Sequence, residues 1–472
     1  MTDAGLPLRW WAPSAWVEGR WRASVLLSAN AQGHWSAVEP DTPRPEGVAA
    51  LAGPALPGMV NAHGHAFQRA FAGLTERRDS GSDDFWSWRD RMYRVASQIT
   101  PQQLEAVATQ LYVELLRGGY TQMCEFHYLQ HAAADALIRA AATAGIGLTM
   151  LPVLYERAGF RQPELRDEQR RFATTPDDLI RLRDGVRSMK APLVSAGVAI
   201  HSLRAASPEA ITGLLARCDG DDGPIHLHIA EQTGEVDDCI AATGVRPIEW
   251  LARHVALDAR WQLVHATHAL PHEIASVAKS GAGVVICPST EANLGDGLCD
   301  LPDWLSAGAA WSIGSDSHVT RDWREELRLL EYGQRLLHRR RNIAAAPELG
   351  MPASAERLFN GCLAGGAAAA GQERWGLQAG ARADLLVVDT EDESLLGVPD
   401  GQLLDALVFS SPNRPWRDVL VAGRWVIRNH RHDAESAPAF KAAMSELRTD
   451  SGQATRTRRP SVRMPGSSGS RQ

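Results

Sequence analysis

The chain has 472 residues, 44% of them hydrophobic, a formal net charge of −7 and six scattered cysteines. That length supports one barrel-sized domain and a smaller companion, while the lack of any ~18-residue apolar run or basic-then-apolar leader excludes an evident membrane span or secretory signal. Without a Cys-x-x-Cys pair the cysteines argue against a disulfide framework or thiolate zinc site and suit a reducing cytoplasm, and the mild acidity gives no reason to expect nucleic acid as a partner.

Residues 1–56 are rich in Trp, Gly and Pro, with short alternating stretches such as 21–27. Similar material returns at 383–389 and 419–427. Two strand-rich flanks around a long middle predict a small β-domain, a β-sandwich of 1–56 with 375–435. The middle, 57–374, alternates strands and helices. Its first strand runs through Met59-Val60-Asn61-Ala62-His63-Gly64 into His65. The segment 66–99 follows, and its cluster Asp84-Phe85-Trp86-Ser87-Trp88-Arg89 reads as a loop over a site. Thr100 as N-cap and Pro101 at N1 start a helix that Gly118-Gly119 stops. Strands over 120–127, 146–154 and 195–201 alternate with helices ending near Gly145, over 176–189, and from Ser207-Pro208.

Strands over 225–230, 261–265, 282–287 and 310–314 continue the rhythm. Helices are expected over 247–255, 271–279, 301–305 and 323–341, and a loop over 288–297. Eight strand–helix units predict a closed (β/α)8 TIM-like barrel. An open doubly wound sheet is weakened by the lack of a Gly-x-Gly-x-x-Gly turn after the first strand. Residues 448–472, rich in Ser, Gly, Pro and Arg, read as a disordered tail.

In such a barrel the chemistry lies at the C-terminal strand ends. Those ends gather His63 and His65; Glu125, His127 and Tyr128; His201 and Arg204; His226, His228 and Glu231; His265 and His268; Asp316 and His318. About half of the chain's 16 histidines fall there. Taken alone, a His-x-His is more often two polar loop residues, but this convergence points to one divalent metal. His63, His65, His228 and Asp316 are the expected ligands, with an open position for water. Zinc suits the set, and so do iron and cobalt. His226 reads as a packed neighbour, Glu125 as either a pocket residue or an interior ion-pair member, and Glu291 and Asp296 as residues that order their loop.

Pro57-Gly58-Met59-Val60-Asn61-Ala62-His63-Gly64-His65, His228-Ile229-Ala230-Glu231, His265 and Ser315-Asp316 together resemble the metal-dependent amidohydrolase superfamily. The resemblance implies catalytic roles for Glu231, as proton shuttle to departing ammonia, for His265, polarising the attacked centre, and for Asp316, helping to deprotonate water. Phe67-Gln68-Arg69-Ala70, the 84–89 cluster, Glu125-Phe126-His127-Tyr128-Leu129, His228-Ile229-Ala230-Glu231-Gln232 and Thr290-Glu291-Ala292-Asn293-Leu294-Gly295-Asp296-Gly297 resemble the formimidoylglutamate deiminases. That family hydrolyses N-formimino-L-glutamate to N-formyl-L-glutamate and ammonia in histidine degradation. Its small dicarboxylate substrate calls for arginine forks, for which Arg89 and Arg204 stand beyond strand ends. By resemblance Gln68, Tyr128 and His201 complete the substrate contacts. A homodimer in the cytoplasm, with no membrane partner, is the expected setting. The alternatives are a deaminase of a nucleobase-like or triazine-like ring, and a non-catalytic barrel.

Overall fold

Eight parallel strand positions follow one another in a computed structural model that describes residues 8–76, 78, 85–129 and 133–456. They are Met59–Gly64, Tyr120–His127, Gly147–Leu154, the short pair Val194–Ala196 and Val198–Ile200, Ile225–Ile229, Trp261–His265, Gly283–Ile286 and Ala310–Ile313. Each is hydrogen-bonded to the next in sequence. A parallel bridge between Gly64 and Asp316 joins the last to the first. There Asp316 N donates to His63 O at 3.0 Å and His65 N donates to Asp316 O at 3.1 Å. The expected (β/α)8 barrel is therefore present, and its closing seam runs through three of the predicted metal ligands.

The strands are buried along almost their whole length, as both faces of a barrel wall require. The fourth is interrupted at Gly197, where a Cβ would lie 2.3 Å from Pro224 O. The helix Pro101–Arg117 starts at a capping box: Thr100 Oγ1 accepts Gln103 N, and Thr100 N donates to Gln103 Oε1. The helix Ser354–Ala369 packs across the seam between the first and last strands. Its Gly365 makes that approach possible, since a Cβ there would meet Trp311 O at 1.9 Å.

Three expectations change. Residues 85–89 of the 84–89 cluster are helical rather than a loop, within Phe85–Gln98, and Asp84 lies outside the described residues. The buried side of this helix, Arg89, Met92, Tyr93 and Ala96, recurs at helical spacing and packs inward. Pro288–Leu294 is likewise a short helix rather than a loop, started by Pro288 and ended by Gly295 at φ 72°. Helices also form over Thr233–Thr243, Leu403–Phe409 and Ser436–Arg456, none of them foreseen. The last takes in the start of the supposed tail; from 457 onward that tail lies outside the described residues.

Both ends of the chain build one separate sheet. In spatial order its strands are Arg431–His432, Arg424–Arg428, Trp416–Val421, Leu385–Val388, Ala55–Leu56, Leu8–Val17, Arg20–Ala29 and Trp35–Glu39. The two ends meet where Leu386 pairs antiparallel with Leu56. Trp10 anchors this layer, edge-on to Trp35 and Trp425 at 6.1 and 6.0 Å. Among the described residues no helix is long and apolar enough to cross a membrane.

Candidate active site

His63 and His65 leave the first strand two residues apart, so both rings enter the mouth of the barrel from one face. The ligand nitrogens of His63, His65 and His228 lie within 4.8 Å of one another. His63 Nε2 is 2.9 Å from His228 Nε2. Asp316 Oδ1 is 3.5 Å from His63 Nε2 and 3.3 Å from His65 Nε2. The barrel thus brings all four predicted ligands together.

Their orientation is set from behind. His65 Nδ1 donates to Phe126 O at 2.9 Å, and His228 Nδ1 to His201 O at 3.0 Å. A carbonyl only accepts, so each Nδ1 carries the ring proton and each Nε2 turns a lone pair inward. Burial pushes the His63 imidazole down to about 3 and the His228 imidazole well below its usual range, which keeps both neutral. Asp316 is raised by burial but held well below the carboxylate range by His63 and His65. Neutral imidazoles with converging lone pairs beside an ionised carboxylate offer a donor set that suits a divalent cation.

The backbone is strained here. Asp316 sits at φ 44°, His265 at φ 70° and Ala230 at φ 52°. Left-handed conformations at three strand ends cost of order 1–3 kcal/mol each and persist where the surroundings over-determine them. Asn61 does much of that holding: Ser315 N donates to its Oδ1 at 3.0 Å and its Nδ2 donates to Ser315 Oγ at 2.6 Å.

His265 lies between carboxylates. Its Nε2 is 3.8 Å from Glu231 Oε1 and 3.7 Å from Asp316 Oδ2, and its Nδ1 is 3.3 Å from Glu291 Oε1. Burial opposes its charge, but Glu231 and its other neighbours raise it well above the ordinary imidazole range. Burial also pushes the Glu231 carboxyl up to about 7. A group poised there can accept and donate a proton at neutral pH.

The other half of the cavity is cationic and aromatic. Gln68, Arg89, Tyr128, His201 and Arg204 all line the same space as His65, His228, Glu231, His265 and Asp316. Gln68 Nε2 donates to Tyr128 OH at 3.3 Å. The Arg89 guanidinium lies 5.4 Å from the centre of the Tyr93 ring. Burial lowers Arg89 and, with Arg204 beside it, presses His201 well below its usual range.

Residues 55–426 match the amidohydrolase family. The chain belongs to that family. It is 46% identical over 444 residues to the formimidoylglutamate deiminase of Pseudomonas aeruginosa, which spans 90% of this chain and 96% of that relative. A crystal structure of an amidohydrolase from Brucella melitensis superposes with a TM-score of 0.88 at 39% identity, covering 94% of this chain and 100% of the other. A 5-methylthioadenosine/S-adenosylhomocysteine deaminase of Natronomonas pharaonis is 27% identical over 390 residues, 82% of this chain and 84% of that one. Amidohydrolases are metal-dependent hydrolases, and the buried histidine–aspartate cluster is where this member offers donors.

Other strand-end residues brace the site. Glu125 accepts Ala66 N at 2.8 Å and Tyr112 OH at 3.1 Å, so it braces the backbone just after His65. His226 Nε2 donates to Ala369 O at 2.9 Å, which ties it to the helix across the barrel floor. Glu291 orders its helix start, accepting Cys287 N at 2.9 Å, but it also touches His265. Asp296 pairs with Gln232, next to Glu231. Met92, Tyr93 and Leu294 line the cavity unforeseen, and Trp88 lines it from the stretch read as a loop over a site. The i, i+4 spacing of Trp88 with Met92 and of Arg89 with Tyr93 is the signal that would have found that helix face.

Proposed function

We propose that this chain is a metal-dependent deiminase of N-formimino-L-glutamate, releasing ammonia and N-formyl-L-glutamate. The observation that carries the reading is the division of one cavity into a hydrolytic half and a half with two guanidiniums, Arg89 and Arg204. A planar fork suits a carboxylate, and a substrate with two carboxylates justifies placing two of them beside the chemistry. A ring deaminase has no anionic group to hold there. The similarity to the Pseudomonas aeruginosa enzyme supports the same substrate.

His63, His65, His228 and Asp316 would hold one divalent ion, for which zinc is our choice. Bound there, the ion supplies a Lewis acid that makes water nucleophilic near neutral pH. Arg89 and Arg204, with Gln68, Tyr128 and His201, grip the glutamate carboxylates and set the formimino carbon over Glu231, His265 and Asp316. His265 donates a hydrogen bond to the carbon's substituents as charge develops. Asp316 and Glu231 take the proton that water loses when oxygen adds to the formimino carbon. Glu231 returns that proton to the terminal nitrogen, the C–N bond breaks and ammonia leaves, and the remaining hydroxyl proton passes to Asp316 and on to the departing ammonia as the carbonyl of the formyl group forms.

The test is an ammonia-release screen over formiminoglutamate, guanine, cytosine and a triazine, run beside elemental analysis of the purified protein. Turnover of formiminoglutamate alone, with about one metal per chain, is expected. Preference for a ring substrate, or full activity without metal, would overturn the reading.

A further inference from the structure

A second cavity, of about 240 Å³, opens beside the catalytic one. Arg89 and Arg204 line both, so the two spaces share a pair of guanidiniums. Outward the lining adds Arg161 and Arg166 against a single carboxylate, Asp238. Both outer arginines are exposed. Arg161 is steadied by donating from Nη2 to Ala241 O at 2.7 Å. The walls therefore run from the catalytic floor, with Glu231 and Asp316, through two shared arginines to an arginine-rich mouth.

We propose that this outer cavity is a vestibule that captures an amino-acid dicarboxylate and delivers it, carboxylates outward, to the catalytic pocket. The proposal rests on the dicarboxylate reading above. A formimino substrate is dipolar, anionic at one end and cationic at the other. The arginines orient it as well as attract it: the carboxylates stay with the guanidiniums, so the formimino end leads inward toward Glu231 and His265. The dianionic product leaves along the same guanidiniums. Clefts lined by one sign of charge raise association rates by about 10- to 1,000-fold, with a strong dependence on ionic strength. One unit charge near 10 Å from a dianion in water contributes roughly two- to fourfold of that.

The experiment is stopped-flow association of glutarate, an unreactive dicarboxylate, read by tryptophan fluorescence in the metal-loaded protein from 20 to 300 mM salt. Wild type should associate about tenfold more slowly at the high-salt end. Arg161→Gln with Arg166→Gln should associate about tenfold more slowly than wild type at low salt and converge with it at high salt, with kcat on formiminoglutamate unchanged. Arg166→Lys, which keeps the charge, should retain most of the rate. An association rate insensitive to salt in wild type, or equal in the double variant, overturns the vestibule. Failure of the wild type to release ammonia from formiminoglutamate instead removes the substrate reading, so the two failures are separable.

Discussion

Replacing Asn61 by alanine tests whether the closing seam of the barrel holds the site in shape. Asn61 is fully buried and bonds twice to Ser315, accepting from its amide at 3.0 Å and donating to its hydroxyl at 2.6 Å. Ser315 Oγ in turn lies 2.8 Å from His318 Nδ1. The alanine variant loses both bonds and leaves the Ser315 amide buried without a partner, which costs about 1–3 kcal/mol. The lost amide–hydroxyl bond adds about 1 kcal/mol. The sum, roughly 2–4 kcal/mol, is comparable to the strain held in Asp316 at φ 44°. Asp316 is then free to relax away from His63 and His65. We expect a melting temperature lower by about 2–6 °C and metal that is lost on dialysis where wild type keeps it. The Asn61→Ala, Ser315→Ala pair should be non-additive, because both remove the same link. A variant that melts within 1 °C of wild type and keeps its metal would refute the argument that this pair fixes the carboxylate.

Four further outcomes are expected. Glu231→Gln keeps the shape but cannot cycle a proton, so metal content and KM should hold while kcat falls about 10²- to 10⁴-fold; a kcat within tenfold of wild type removes Glu231 from the relay. Arg204→Ala should raise KM for formiminoglutamate by one to two orders of magnitude with a smaller loss in kcat, and steady-state kinetics showing neither change would undo the carboxylate assignment. Chelation should abolish activity and lower the melting temperature, since a ligand at 100 times its Kd stabilises by about 2.7 kcal/mol; zinc should restore both. Glu326 is fully buried, accepts Ser289 N and Oγ, and is pushed up to about 8 by burial. The folded chain therefore holds a proton there that the unfolded chain has released above about 4.5, so stability drains as pH rises from that point to 8 and is level beyond. Glu326→Gln should flatten the slope and be more stable than wild type above pH 8, by on the order of 2–4 kcal/mol in denaturant titrations; an unchanged slope places the titration elsewhere.

The barrel was legible because burial on both faces writes near-continuous apolar runs, and Gly and Pro punctuate them. Tyr120–His127 and Trp261–His265 fall where such runs predict them. The proposed metal ligands stand out for the same reason: a polar residue at the end of an apolar run is conspicuous, and His63, His228 and Asp316 each stand there. The loops between strand and helix carried a weaker signal. Phe85–Gln98 turns the charged Arg89 inward and exposes Asp90, Arg94 and Ser97, so its helical period is masked by composition, and Trp88 and Arg89 read as a loop cluster. Pro288–Leu294 is shorter than a periodic signal can resolve. The supporting partners were invisible for a different reason. Asn61 and Ser315 are 254 residues apart, and Glu291 reaches His265 across 26. Nothing local to Asn61 marks it, since an asparagine inside a strand usually signals a turn or an edge. Its meaning arises only when the eighth strand position returns beside the first, and the same closure sets Asp316 against His63 and His65. Chemistry-bearing residues can be read from the chain; the residues that aim them depend on which distant segments the barrel makes neighbours.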